Sequence, residues 1–96
     1  RQQLLMFRNF KDPEYKKWRK AVYKRDGYKC QWPGCNMGKK LNAHHIKRWA
    51  DFPGLRFEVS NGVTLCRYHH DMIKGMEDNY ESIFLKIAHA NARHKR

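Results

Sequence analysis

The chain has 96 residues, with 21 Lys plus Arg against 9 Asp plus Glu and a formal charge of +12. A chain this short forms one small domain with a thin core, which often needs a metal, disulfides or a partner. Its charge suits a polyanion, most simply nucleic acid, while no apolar run approaches the roughly 20 residues of a membrane span and no signal-peptide pattern is visible. The first residue is Arg1 rather than Met, as in a fragment or processed chain.

Residues 1–11 are basic and without a clear period, which suits an arm or a short helix. Asp12-Pro13-Glu14 opens a helix over 12–27: a capping carboxylate, then proline where its missing N–H does no harm. Tyr15, Trp18 and Val22 recur at spacings of three and four, so one face is apolar and the Lys/Arg face lies in water. Asp26-Gly27 ends it. This helix reads as a scaffold with a solvated basic face rather than a reader of bases.

Cys30 to Cys35 forms a tight turn around Pro33-Gly34. Leu41 to Ile46 reads as a short strand, 47–58 as a loop, and Val59 to Leu65 as containing a second strand. A helix is expected from Cys66 to about Gly75, and a last one over 77–92 with Tyr80, Ile83, Phe84 and Ile87 on one face. His89 and His94 read as exposed. The class is α+β, in one domain over 1–96.

Three cysteines cannot all pair within one chain. Their placement suits a reduced, cytoplasmic protein with a structural zinc held by two short pairs. Cys30 and Cys35 form one pair. Cys66 and His69, three apart, share one face of a helical turn and form the other. Such a site contributes on the order of ten kcal/mol to folding; the plainer alternative is three small buried apolar thiols. His44, His45 or His70 could replace His69 as fourth ligand. Neighbours on a helix diverge by about 100°, so His69 and His70 do not face the same ion. One imidazole is left over.

Ala43-His44-His45-Ile46 on the first strand, Asn61 at the opening of the second and His70 after Cys66 form an ordered set within the cysteine pairs. With Leu41-Asn42, the loop 51–57 and Asn61-Gly62-Val63-Thr64-Leu65-Cys66, this resembles the HNH endonuclease family with its β-β-α-metal fold, over about Trp18 to Lys74. The motif letters are His45, Asn61 and His70. The resemblance implies a metal-dependent DNA endonuclease of the kind carried by phages and mobile elements. In it His44 and His70 ligate a catalytic divalent ion, and His45 takes a proton from the attacking water. The Asn61 amide bridges backbone groups and steadies the His45 segment, and the products carry a 5′ phosphate and a 3′ hydroxyl.

Two positions depart from the family pattern. Cys66-Arg67-Tyr68-His69-His70 stands where Cys-x-x-Cys-His is common, which gives His69 to the zinc and His70 to catalysis. His44 stands where many relatives carry aspartate, which leaves the catalytic ion open among Mg²⁺, Mn²⁺, Ni²⁺, Co²⁺ and Zn²⁺. Adjacent strand residues point to opposite faces, so a bulge or a strand end is expected at His44-His45. Lys47, Arg48, Arg67 and Lys74 are candidates for phosphate contacts, and Arg56 for packing its stem on Trp49 or Phe57. One centre per chain implies nicking, with double-strand cleavage needing a homodimer, a second encounter or a larger phage or host assembly. Two rival readings are a zinc-stabilised nucleic-acid-binding module without catalysis, and an inactive subunit that positions DNA for a partner.

Overall fold

The computed structural model describes residues 9–93. Most of the basic arm expected over 1–11, together with His94, lies outside the described residues. Helix α1 spans Pro13–Arg25; the Asp12 side chain accepts the Glu14 N–H at 2.9 Å, and Lys24 and Arg25 occupy its last turn, where cations suit the helix dipole. The chain leaves α1 through Gly27 at φ 70°, a left-handed conformation that glycine adopts at little cost. A tight turn follows, with the Cys35 N–H bonded to the Trp32 carbonyl at 2.9 Å.

Strands β1 (Leu41–His45) and β2 (Gly62–Cys66) form an antiparallel pair, in register from Leu41 opposite Cys66 to His45 opposite Gly62. Between them a long loop contains single 3-10 turns at Pro53–Leu55 and Val59–Asn61. The short helix α2 (Arg67–Met72) follows β2 directly, and Gly75 at φ 85° leads into α3 (Glu77–Arg93). The expected second strand therefore lies a little later than the window 59–65. Asn61 ends the turn just before it rather than opening it.

Each face of the hairpin carries its own small core. Ala43 packs with Tyr15, Trp18 and Val22 of α1, while Val63 and Leu65 pack with Phe84 and Ala88 of α3, Ile73, Ile46 and two of the cysteines. On α3 the buried side chains are Phe84 and Ala88; Ile83, expected on the apolar face, is exposed. It sits one residue before Phe84, about 100° around the helix and outside the contact with the hairpin.

Asp26 ties the layers together, a role the sequence did not announce. Its buried carboxylate accepts from Arg25, from the Thr64 backbone N–H at 2.9 Å and from Asn91 of α3 at 2.8 Å. Arg25 donates onward to the carbonyls of Val59 and Gly62. Buried charges are tolerated where they are paired and fully hydrogen-bonded in this way.

Candidate metal centre and histidine pair

Cys30, Cys35, Cys66 and His69 place one ligand atom each within 4.8 Å of all the others. Cys30 and Cys35 come from the turn after α1, Cys66 from the last position of β2, and His69 from α2. His69 Nδ1 lies 3.4 Å from Cys66 Sγ and 3.7 Å from Cys30 Sγ, and the Cys35 and Cys66 sulfurs are 3.9 Å apart. Ligands about 2.0–2.3 Å from a tetrahedral zinc stand roughly 3.3–3.8 Å from one another, so the spacing fits a Cys₃His zinc. All three thiols are free of disulfides. Trp32 stacks on the His69 ring at 4.7 Å and 7°, which fixes the plane of the imidazole.

Burial pushes the Cys30 thiol up to about 11. Burial also acts to raise Cys66, but the His69 backbone N–H, the other two thiols and the Tyr68 N–H outweigh it and leave this group below its ordinary value. A set that shares hydrogen bonds in this way is stabilised as thiolates by a cation placed among them.

The remaining histidines divide between the two faces of the hairpin. His44 is buried, and its ring lies 5.7 Å from that of His70 in α2 and 5.5 Å from Phe84 in α3. His70 is partly open to solvent and has the Asp71 carboxylate 3.9 Å from its Nδ1. The structure brings these two imidazoles together. His45 projects to the other face, where its ring stacks on Trp18 at 4.0 Å and 11° and meets Trp49 edge-on at 5.3 Å. Pairing stays regular through His45, so no bulge turns the adjacent imidazoles the same way; β1 ends there instead.

His45 Nε2 lies 2.9 Å from the Arg56 carbonyl. A carbonyl can only accept, so Nε2 carries a proton, and in the neutral ring the lone pair is then on Nδ1. The Arg56 guanidinium lies over the Trp49 ring at 4.6 Å and donates to the Trp49 carbonyl at 2.6 Å. Asn61 joins the loop to the strand end. Its Oδ1 accepts the Lys47 N–H at 2.9 Å, its amide donates to the carbonyls of Lys47 and Leu55, and its backbone carbonyl accepts from Ile46.

Trp18 and Gly62 also shape this site, and sequence reasoning passed over both. A Cβ on Gly62 would lie 2.6 Å from Val22 Cγ2 and 2.7 Å from Trp18 Cζ2. Without one, the indole lies across the strand beside His45 and donates from its Nε1 to the Glu58 carbonyl at 2.7 Å. Asn-Gly had the look of an ordinary turn pair, so nothing in the sequence marked this glycine as a contact point.

Of the four cations expected to meet phosphate, Lys47 is paired with Glu81, Arg48 with Asp51 at 3.1 Å and Asp78 at 3.7 Å, and Lys74 with Asp71 at 3.4 Å. Arg67 is exposed at the start of α2, and His89 is exposed on α3. Comparison with protein-family models, with curated proteins and with solved structures gives no match.

Proposed function

We propose that the protein is a metal-dependent endonuclease of the HNH type that hydrolyses DNA phosphodiester bonds. The observation that carries this reading is the His44–His70 pair, two imidazole rings 5.7 Å apart, one on β1 and the other on α2. Two such rings would be the protein ligands of a single divalent ion. When bound, that ion would supply positive charge against the phosphate as negative charge builds in the transition state. In this reading His45, which points to the other face at the end of β1, is the proton acceptor through Nδ1, with its Nε2 turned to the Arg56 carbonyl, and Asn61 holds the backbone that follows it at Ile46 and Lys47. The Cys30, Cys35, Cys66 and His69 set would hold a zinc, which would keep the strand end and α2 in place.

A second reading, the zinc-stabilised nucleic-acid-binding module, is favoured by one observation. His45 is only 4% exposed and is enclosed by Trp18 and Trp49. Supercoiled plasmid incubated with Mg²⁺, Mn²⁺ or Ni²⁺ separates the two: relaxation in at least one metal supports the nuclease, and binding without relaxation in all three supports the module. Because His45 is packed as well as basic, His45→Gln tests it better than His45→Ala, since glutamine keeps a donor toward the Arg56 carbonyl. We expect this variant to fold and bind DNA while cleavage falls by two or more orders of magnitude, within the usual range for loss of an acid–base group. Cleavage at the parental rate would remove His45 from the reaction.

A further inference from the structure

Three of the four cations expected to meet phosphate already face carboxylates, so the chain's excess positive charge lies elsewhere. Helix α1 carries Lys16, Lys17, Lys20 and Lys24, all exposed. At about 100° per residue these four fall within an arc of roughly 100°, centred opposite the buried Tyr15, Trp18 and Val22. None of the described ion pairs involves these lysines, and the one acid on α1 is Glu14 in its first turn. Lys16–Lys20 and Lys20–Lys24 are like-charge pairs four apart, each of which costs helix stability. A polyanion laid along this face would remove that cost.

We propose that this face of α1 binds the phosphate backbone of a nucleic acid, as a site separate from the His44–His70 pair. The separation follows from the packing of α1: its Tyr15, Trp18 and Val22 stripe lies on the hairpin and the lysine face is turned away from it, while His44 lies on the hairpin face that meets α3. From Lys16 to Lys24 the helix runs about 12 Å, a length along which one DNA strand presents three or four phosphates. Contacts of this kind carry no sequence information. A membrane surface suits the face less well, because an interfacial helix inserts its apolar stripe and here that stripe is covered by the hairpin. The inference rests on the nucleic-acid part of the function proposed above and not on cleavage.

The test is the salt dependence of binding to a labelled 20-base-pair duplex, with no divalent ion added so that cleavage does not intervene. Each lost phosphate contact lowers the slope of log affinity against log salt by about 0.9. The triple variant Lys16→Gln, Lys20→Gln, Lys24→Gln is therefore expected to lose about 2.7 from the slope, and roughly two orders of magnitude of affinity at 0.1 M salt. Lys20→Gln alone should lose about 0.9. A control triple, Lys29→Gln, Lys39→Gln, Lys86→Gln, removes the same charge from other exposed positions and should lose far less. Zinc content and thermal midpoint report on the fold. Equal slopes for the two triples would overturn the inference while leaving the nuclease reading intact. A parent chain that fails to bind duplex at 50 mM salt would overturn both. Lysine-dependent sedimentation with phosphatidylserine vesicles, beside an unchanged DNA slope, would give the face to a membrane and also overturn it.

Discussion

Gly62 lies opposite His45 across the hairpin, and the space where its Cβ would stand is filled by Trp18 and Val22. Gly62→Ala is therefore an overpacking change, and we expect a loss of about 1–3 kcal/mol in urea unfolding. A stability equal to the parent's would mean that the indole moves aside freely. Asp26 poses the opposite problem. Its carboxylate partners Arg25, the Thr64 N–H and Asn91, and removing it strands a buried guanidinium. Asp26→Ala should cost about 3–5 kcal/mol, also read by urea unfolding. Glycine and aspartate at these positions look like turn and cap residues in the sequence. Only their neighbours in space reveal the second duty.

At the scale of elements, α2 is six residues long and its buried contacts are few. Helices this short do not hold their shape alone in water, so an ion that tied Cys66 and His69 to Cys30 and Cys35 would stabilise α2. Stripping the metal with a strong chelator is expected to abolish cooperative unfolding and much of the helical circular dichroism, with recovery on adding one equivalent of Zn²⁺. A chelated chain that unfolds at the same midpoint would show that the set holds no structural ion. Acid should act similarly. The Cys30 thiol is pushed up to about 11 by burial, so metal uptake must displace its proton, and affinity should fall as pH falls. Competition with a chromophoric chelator across pH measures this. The boundaries of α1 and α3 were legible because their caps and apolar spacing are local. The true register of β2 was not, since it is set by pairing with β1 and by the fit of Gly62 under α1.

For the whole molecule, the described histidines supply one paired centre per chain, between β1 and α2. In the plasmid assay, nicked circles should accumulate before any linear form appears. Linear product arising in step with nicked product at low enzyme would call for two chains acting together, with a dimer in sedimentation. Among the described residues, no helix is long and apolar enough to cross a membrane. Charge is distributed unevenly over this small body, with Lys47, Arg48 and Lys74 facing carboxylates and none of the described ion pairs on the lysines of α1. That arrangement could not be read from a net charge of +12.

By itself the sequence determined the α+β class, the order of helices and strands, and the three cysteines of the candidate metal set, with His69 one of four histidines open as the fourth member. These follow from short-range rules: capping, apolar spacing, and the reach of two cysteines or a Cys-His pair within a turn. The meeting of His44 with His70 was expected from the family resemblance, but tertiary structure alone decided that His45 turns to Trp18, because strand alternation fixes opposite directions and the helices on each face determine what is met there. It alone decided which cations are neutralised, since Glu81 and Asp78 lie thirty or more positions along the chain from Lys47 and Arg48, which they face.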